Sequence, residues 1–327
     1  GPEAERVVYE VLRRMGRVCP VLVIAGNHDN PRRFEAWGVL AELANIRCVA
    51  KPRGLAAGGL LKIETPRGTA RVAPIPFAPI RWFVTAEGLA DESAAMSSYA
   101  QGVQRMAAQL AGGFTADAVN LLMAHTHVDG ATLAKSERVV HLGDQWAIEP
   151  AAIPSSAQYA ALGHIHKPQA VRHGVEYAGS PLQLDYGEEG EEKSFVFIEA
   201  RPNLPVQTRR VAYEGGIALT TFTGSLDELT QRADTLRGAG HLRVVLQLAE
   251  PIPDVVKLVR ERVPNAVTVQ VRLPQMTTEK APLRDASPVD LYRDFFQKRH
   301  GHAPDDAVLD AFSRLYEEVE LGPGEQP

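Results

Sequence analysis

The chain has 327 residues, 45% of them apolar and 23% charged, a composition that excludes a collagenous, disordered or disulfide-rich class. Its length exceeds that of one typical domain, so two or three compact units are expected. A formal net charge of −5 excludes a nucleic-acid binder that works through bulk positive charge, and any contact with DNA must be local or supplied by a partner.

No apolar run reaches the ~18–20 residues of a membrane-spanning helix, and no basic-then-apolar signal segment opens the chain. Cys19 and Cys48 are the only cysteines, too few for a disulfide framework or a thiolate zinc site. A cytoplasmic protein with two inert buried thiols is the expectation.

In chain order, residues 3–14 read as a helix, where an α/β domain commonly begins on a strand. Short apolar runs then alternate with helical and loop-rich stretches to about residue 201, the pattern of an α/β domain. Residues 21–25, 121–124 and 159–162 are its clearest strands. Each runs directly into a cluster containing histidine, and ligands of α/β sheets sit beyond the carboxyl ends of strands. Residues 74–79 read as a proline-rich turn, 90–111 as a helix, and the acidic run 188–192 as a solvated loop without chemistry.

After residue 201 the pattern becomes βαβ-like. Ser225-Leu226-Asp227-Glu228 fits a capping box, and Leu226, Leu229, Ala233 and Leu236 follow at helical spacing. Residues 241–248 and 266–273 alternate as half-buried strands do, with a short helix at 254–263 between them. Ser287 and Pro288 open one terminal helix, ending near Gly301, and Asp305-Asp306 open another. Their apolar stripes, Leu291, Phe295 and Phe296, then Val308, Leu309, Phe312 and Leu315, suit packing on the parent domain or on a partner. The expected division is 1–200, 201–280 and 281–327.

Three clusters carry the candidate chemistry. Gly26-Asn27-His28-Asp29 presents an amide oxygen and an imidazole, both usable metal ligands, although Asn and Asp also close ordinary turns. His125-Thr126-His127 and Gly163-His164-Ile165-His166 each place two imidazoles two residues apart, which in extended chain share a side. Imidazole delivered at three separate strand ends, without thiolates, points to a metal site. His141, His173, His241, His300 and His302 lack that context, and the last two suit a helix end.

The strings AGNHD, AHTHVDGA, YAALGHIHKPQ and YAGSPLQLDYGEEGEEKSF, in this order and covering nearly the whole chain, resemble the SbcD nucleases of the calcineurin-like metallophosphoesterases. That resemblance implies an αββα sandwich with a small α/β capping domain and C-terminal helices. It implies two divalent metal ions, Mn2+ above all, with Asn27, His125 and His164 on the second ion and His166 on the first. His28 would protonate the leaving group or hold the phosphate, and His127 is not a ligand in the family pattern. The implied activity is hydrolysis of DNA, exonucleolytic on duplex ends and endonucleolytic on single strands or hairpins. The implied partners are an SbcC-type ATPase, DNA and a second copy in a homodimer, with no membrane. The family's D-x-H and G-D-x-x-D motifs do not occur upstream of Asn27, and the chain is expected to begin just after them. The alternatives are a small-nucleotide phosphodiesterase, which would not need the second domain and terminal helices, and a non-catalytic scaffold, which would not need the histidines.

Overall fold

The computed structural model describes residues 2–84, 92–133, 147–273 and 287–321. The chain divides into two compact units, Gly1–Arg272 and Leu273–Pro327. The first opens with α1 (Pro2–Gly16), β1 (Val21–Ile24), α2 (Pro31–Ala41) and β2 (Ile46–Val49). Two parallel strands need a crossover, and α2 supplies it between β1 and β2. Its start is written in the sequence: the Asn30 side chain accepts from Arg32 N and Arg33 N, and Pro31 fills the first turn where no donor is required. Val21, Ala41 and Ile46 bury the small core of this layer against Leu12 and Trp37.

The larger sheet comprises β3 (Leu61–Thr65), β4 (Gly68–Ile75), β5 (Val119–His125), β6 (Tyr159–Gly163), β7 (Gln169–Arg172) and β8 (Val175–Tyr177), ordered β3-β4-β5-β6-β8-β7. Its four central strands are parallel and both edges antiparallel. α3 (Glu92–Ala111) links β4 to β5, packing Val103, Ala107 and Leu110 into the same core as Leu122, Ala124, Leu162 and Tyr177. The proline-rich turn expected at 74–79 starts later, because Pro74 lies inside β4 opposite Met123. β3 pairs with β4 only as far as Val72, so the missing amide hydrogen of Pro74 costs no bond on that side. Phe77 N donates to Ala25 O at 2.9 Å, which draws the exits of β4 and β1 together.

The hairpin β9 (Ser194–Glu199) and β10 (Gln207–Ala212) leads to a three-stranded sheet. There β11 (Leu219–Gly224), β12 (His241–Gln247) and β13 (Ala266–Arg272) run parallel in that order, with α4 (Leu226–Gln231), α5 (Ala233–Arg237) and α6 (Val255–Arg262) as crossovers. The capping box at Ser225 is formed in both directions, and Leu229, Ala233 and Leu236 are buried as their spacing predicts. Arg232, at φ −99° and ψ 4°, divides that helix in two. β12 departs from strict alternation, since Val244, Val245 and Leu246 are all buried, as a central parallel strand requires.

In the second unit, α7 (Pro288–His300) starts on Ser287, whose side chain accepts from Asp290 N, and stops at Gly301 with φ 78°. Asp305 accepts from Val308 N at 2.9 Å to start α8 (Asp306–Leu321), and Tyr292 stacks on Phe312 with centroids 4.2 Å apart. His300 sits in the last turn of α7 with Lys298 and Arg299, where cations complement the helix dipole. Among the described residues, no helix is long and apolar enough to cross a membrane. Cys48 is partly buried, and burial pushes its thiol up to about 11; Cys19, expected inside, is exposed just beyond α1.

Candidate metal centre

The three histidine clusters follow the carboxyl ends of β1, β5 and β6. His125, the last residue of β5, pairs with Gly163, the last residue of β6, and Ala25-Gly26-Asn27 leave β1 where Phe77 N meets Ala25 O. A cleft of about 210 Å³ results, lined by Asn27, His28, His125, His164, Ile165, His166 and Ser180 with two glycines. Asn27, His125, His164 and His166 are thus brought together, while the exposed His28 stands at the rim. His127 does not line the cleft. His173 and His241 are exposed elsewhere, and His141 lies outside the described residues.

Glycine makes the close approach possible. A Cβ at Gly26 would stand 2.7 Å from His125 Cε1, and one at Gly163 would stand 3.0 Å from His125 Nδ1, so the ring slots between two backbones that carry no side chain. The Asp29 carboxylate accepts from Gly26 N at 2.7 Å and closes the turn that aims Asn27. The two imidazoles of the H-x-H motif reach the cleft by a route other than extended alternation. β6 ends at Gly163, His164 adopts φ 105°, and Ile165 drops into the core at 2% exposure. A positive φ at a non-glycine residue is strained, and such strain gathers at functional sites.

His125 Nε2 lies 2.9 Å from Asn27 Oδ1, and the His125 and His164 ring centroids are 5.3 Å apart. Burial drives the His125 imidazole down to about 4, with His28 and His166 adding repulsion and Asp29 opposing. Its ring is therefore neutral at pH 7, the form in which imidazole binds metal. Two ligands placed cis on an ion with bonds of ~2.1 Å stand about 3 Å apart, so the Asn27–His125 spacing fits one edge of a six-coordinate shell. Among the described residues, no group of three or more His, Cys, Asp or Glu holds an ion unaided. The donors present, imidazole nitrogens and an amide oxygen, fit one side of a divalent ion and leave its charge to anionic ligands.

Glu188 corrects the reading of residues 188–192 as a solvated loop. It is 0% exposed, and its Oε1 lies 3.0 Å from His166 Nδ1. Oε2 takes Lys193 Nζ at 2.8 Å and Leu184 N at 3.2 Å. Burial alone would raise this carboxyl, but the bonds from Lys193, Leu184 and His166 together bring it below the usual carboxylate range. Single-sequence composition hides this, since four acidic residues among five read as surface; the only signal was Lys193 close behind them.

Behind the cleft, the buried Tyr177 hydroxyl accepts from Val128 N at 2.9 Å and donates to Thr126 O at 2.8 Å, pinning the segment that leaves His125. Tyr177→Phe leaves both backbone groups buried without that partner, so stability in urea is expected to fall by about 2 kcal/mol. A loss under about 0.5 kcal/mol would show that the segment is held by something else.

No protein-family model matches the chain. Among known proteins it is similar to the SbcD subunit of the nuclease SbcCD from Bacillus subtilis, 26% identical over 335 residues that span 97% of this chain and 84% of that protein. It is also similar to the SbcD subunit of the nuclease SbcCD from Rhodobacter capsulatus, 29% identical over 284 residues, 77% of this chain and 68% of that protein. A mixed α/β chain with parallel sheets, carrying its imidazoles at strand ends, is over most of its length a homologue of the SbcD subunit of SbcCD nucleases.

Proposed function

We propose that this chain is the metal-dependent DNA nuclease subunit of an SbcCD-type complex. The observation that carries the reading is the meeting of Asn27, His125, His164 and His166 in one cleft from three separate strand ends. Similarity along 97% of the chain to a nuclease subunit supports it. The fold is read as a metallophosphoesterase αββα sandwich, with 1–200 as the nuclease body, 201–280 as the capping domain and 281–327 as the partner-binding helices. The partners are an SbcC-type ATPase, DNA and a second copy of the chain.

Asn27, His125 and His164 would hold one divalent ion and His166 would approach a second, most suitably Mn2+, which accepts nitrogen and oxygen ligands together. Bound ions would supply a nucleophile at neutral pH and charge for the developing phosphate oxygens. The chain's own contributions are distinct. His125 presents a neutral ring, the Asp29 turn fixes Asn27, and His28 at the rim would hand a proton to a departing sugar oxygen or hold the phosphate.

The test is degradation of linear duplex DNA by the natural protein that carries this chain, with Mn2+ added, against His164→Ala. Degradation lost in the variant supports the assignment. Equal degradation by both would sink the assignment of His164, and none by either in the presence of an SbcC-type partner would sink the nuclease reading and favour the scaffold.

A further inference from the structure

We propose that Glu188 is a positioning residue for this centre: its buried carboxylate holds the His166 imidazole as the Nδ1–H tautomer, placing the lone pair on Nε2 for a divalent cation. The inference rests on the metal reading of the cleft given above. A carboxylate next to a buried ammonium is an acceptor only, so across the 3.0 Å contact the imidazole nitrogen must donate. With Nδ1 as the donor, a neutral ring carries its lone pair on the other nitrogen. Carboxylate–histidine pairs of this kind fix both tautomer and ring orientation at metal sites.

Two further observations show that this carboxylate is built into place. His166 is held at its backbone as well, its carbonyl accepting from Ser180 N at 3.0 Å and from Lys193 Nζ at 3.1 Å. The segment carrying Glu188 is tied to the edge of the small parallel sheet on both sides. Gln183 Oε1 accepts from Leu219 N at 2.7 Å, Glu189 Oε1 accepts from Thr221 N at 2.9 Å, and the Arg243 guanidinium lies 4.7 Å from the centre of the Tyr186 ring. The ion pair with Lys193 is not by itself a reason for a fully buried carboxylate here, since apolar pairs of similar volume often replace buried ion pairs without loss of stability. Its orientation of His166 is what an apolar pair could not reproduce.

The experiment uses the natural protein labelled with 15N-histidine, its His166 signals assigned by comparison with His166→Gln. The ring tautomer is read without metal, and the Mn2+ dissociation constant is read by electron paramagnetic resonance. Glu188→Gln keeps the shape but offers Nδ1 either an oxygen or an amide. Glu188→Met/Lys193→Met removes the ion pair without stranding a buried ammonium, and so remains informative if the single variant unfolds. The wild type is expected to show one tautomer, protonated at Nδ1. Both variants are expected to show a mixture of tautomers and Mn2+ affinity weakened about 10- to 100-fold, with circular dichroism unchanged. An unchanged tautomer with affinity within about twofold of wild type overturns the proposal. A tautomer change in a protein whose wild type binds no Mn2+ would uphold the orientation by Glu188 and sink the metal reading instead.

Discussion

His125→Ala is expected to weaken Mn2+ binding by at least about 100-fold, more than the 10–100-fold typical of residues that only orient a ligand. His125 is the side chain around which the cleft is organised. Its Nε2 faces the Asn27 amide oxygen at 2.9 Å, its ring lies against that of His164, and two glycines open the slot it occupies. Alanine removes one donor and also deprives Asn27 of the neighbour that fixes its amide. His127→Ala is the matched control, because His127 belongs to the same H-x-H motif but does not line the cleft. Titration of both variants with Mn2+ separates the possibilities. Comparable losses would mean that the effect is general to the β5 exit, and no loss in His125→Ala would remove this residue from the ligand set.

The contrast between His125 and His127 shows what a sequence can and cannot disclose. Period-two logic says that both imidazoles of each H-x-H pair face one side, and it places neither pair correctly for the right reason. β5 ends at His125, so His127 lies past the regular chain, and its carbonyl accepts from Ile148 N. At the other pair the chain turns at His164 with positive φ, and Ile165 rather than pleating accounts for the two rings reaching the cleft. Strand ends were legible because apolar runs stop abruptly at polar clusters, and caps were legible because Ser225 and Ser287 act within a few residues. Glu188 was not legible. Its partners His166 and Lys193 lie 22 and 5 positions away, and burial of an acidic side chain is decided by tertiary placement that composition cannot report. Pro74 misled for a related reason, since a proline is tolerated in a strand once its neighbour has ended.

Stability against pH tests the state of the His125 ring directly. In the folded, metal-free chain burial lowers this imidazole from 6.5 to about 4. Between those values the unfolded chain binds a proton that the folded chain does not, so stability is full above pH 6.5 and is lost as pH falls toward 4. At 1.36 kcal/mol per unit the loss amounts to about 3 kcal/mol. Glu188 acts in the same direction but in a lower window, because its carboxyl is lowered and its contribution fades only as pH drops through and below the usual carboxylate range. The two are separable by subtraction. Urea unfolding of wild type and of His125→Gln, measured from pH 7.5 to 4, should give a difference that is flat above 6.5 and declines steadily below it. Such a decline means that the fold holds His125 neutral beside the Asn27 amide oxygen before any ion arrives. A flat difference across the whole range would mean that the ring accepts its proton in the folded state as readily as in water. The site would then have to discharge that proton on binding metal, and its affinity would fall tenfold for each pH unit below 6.5.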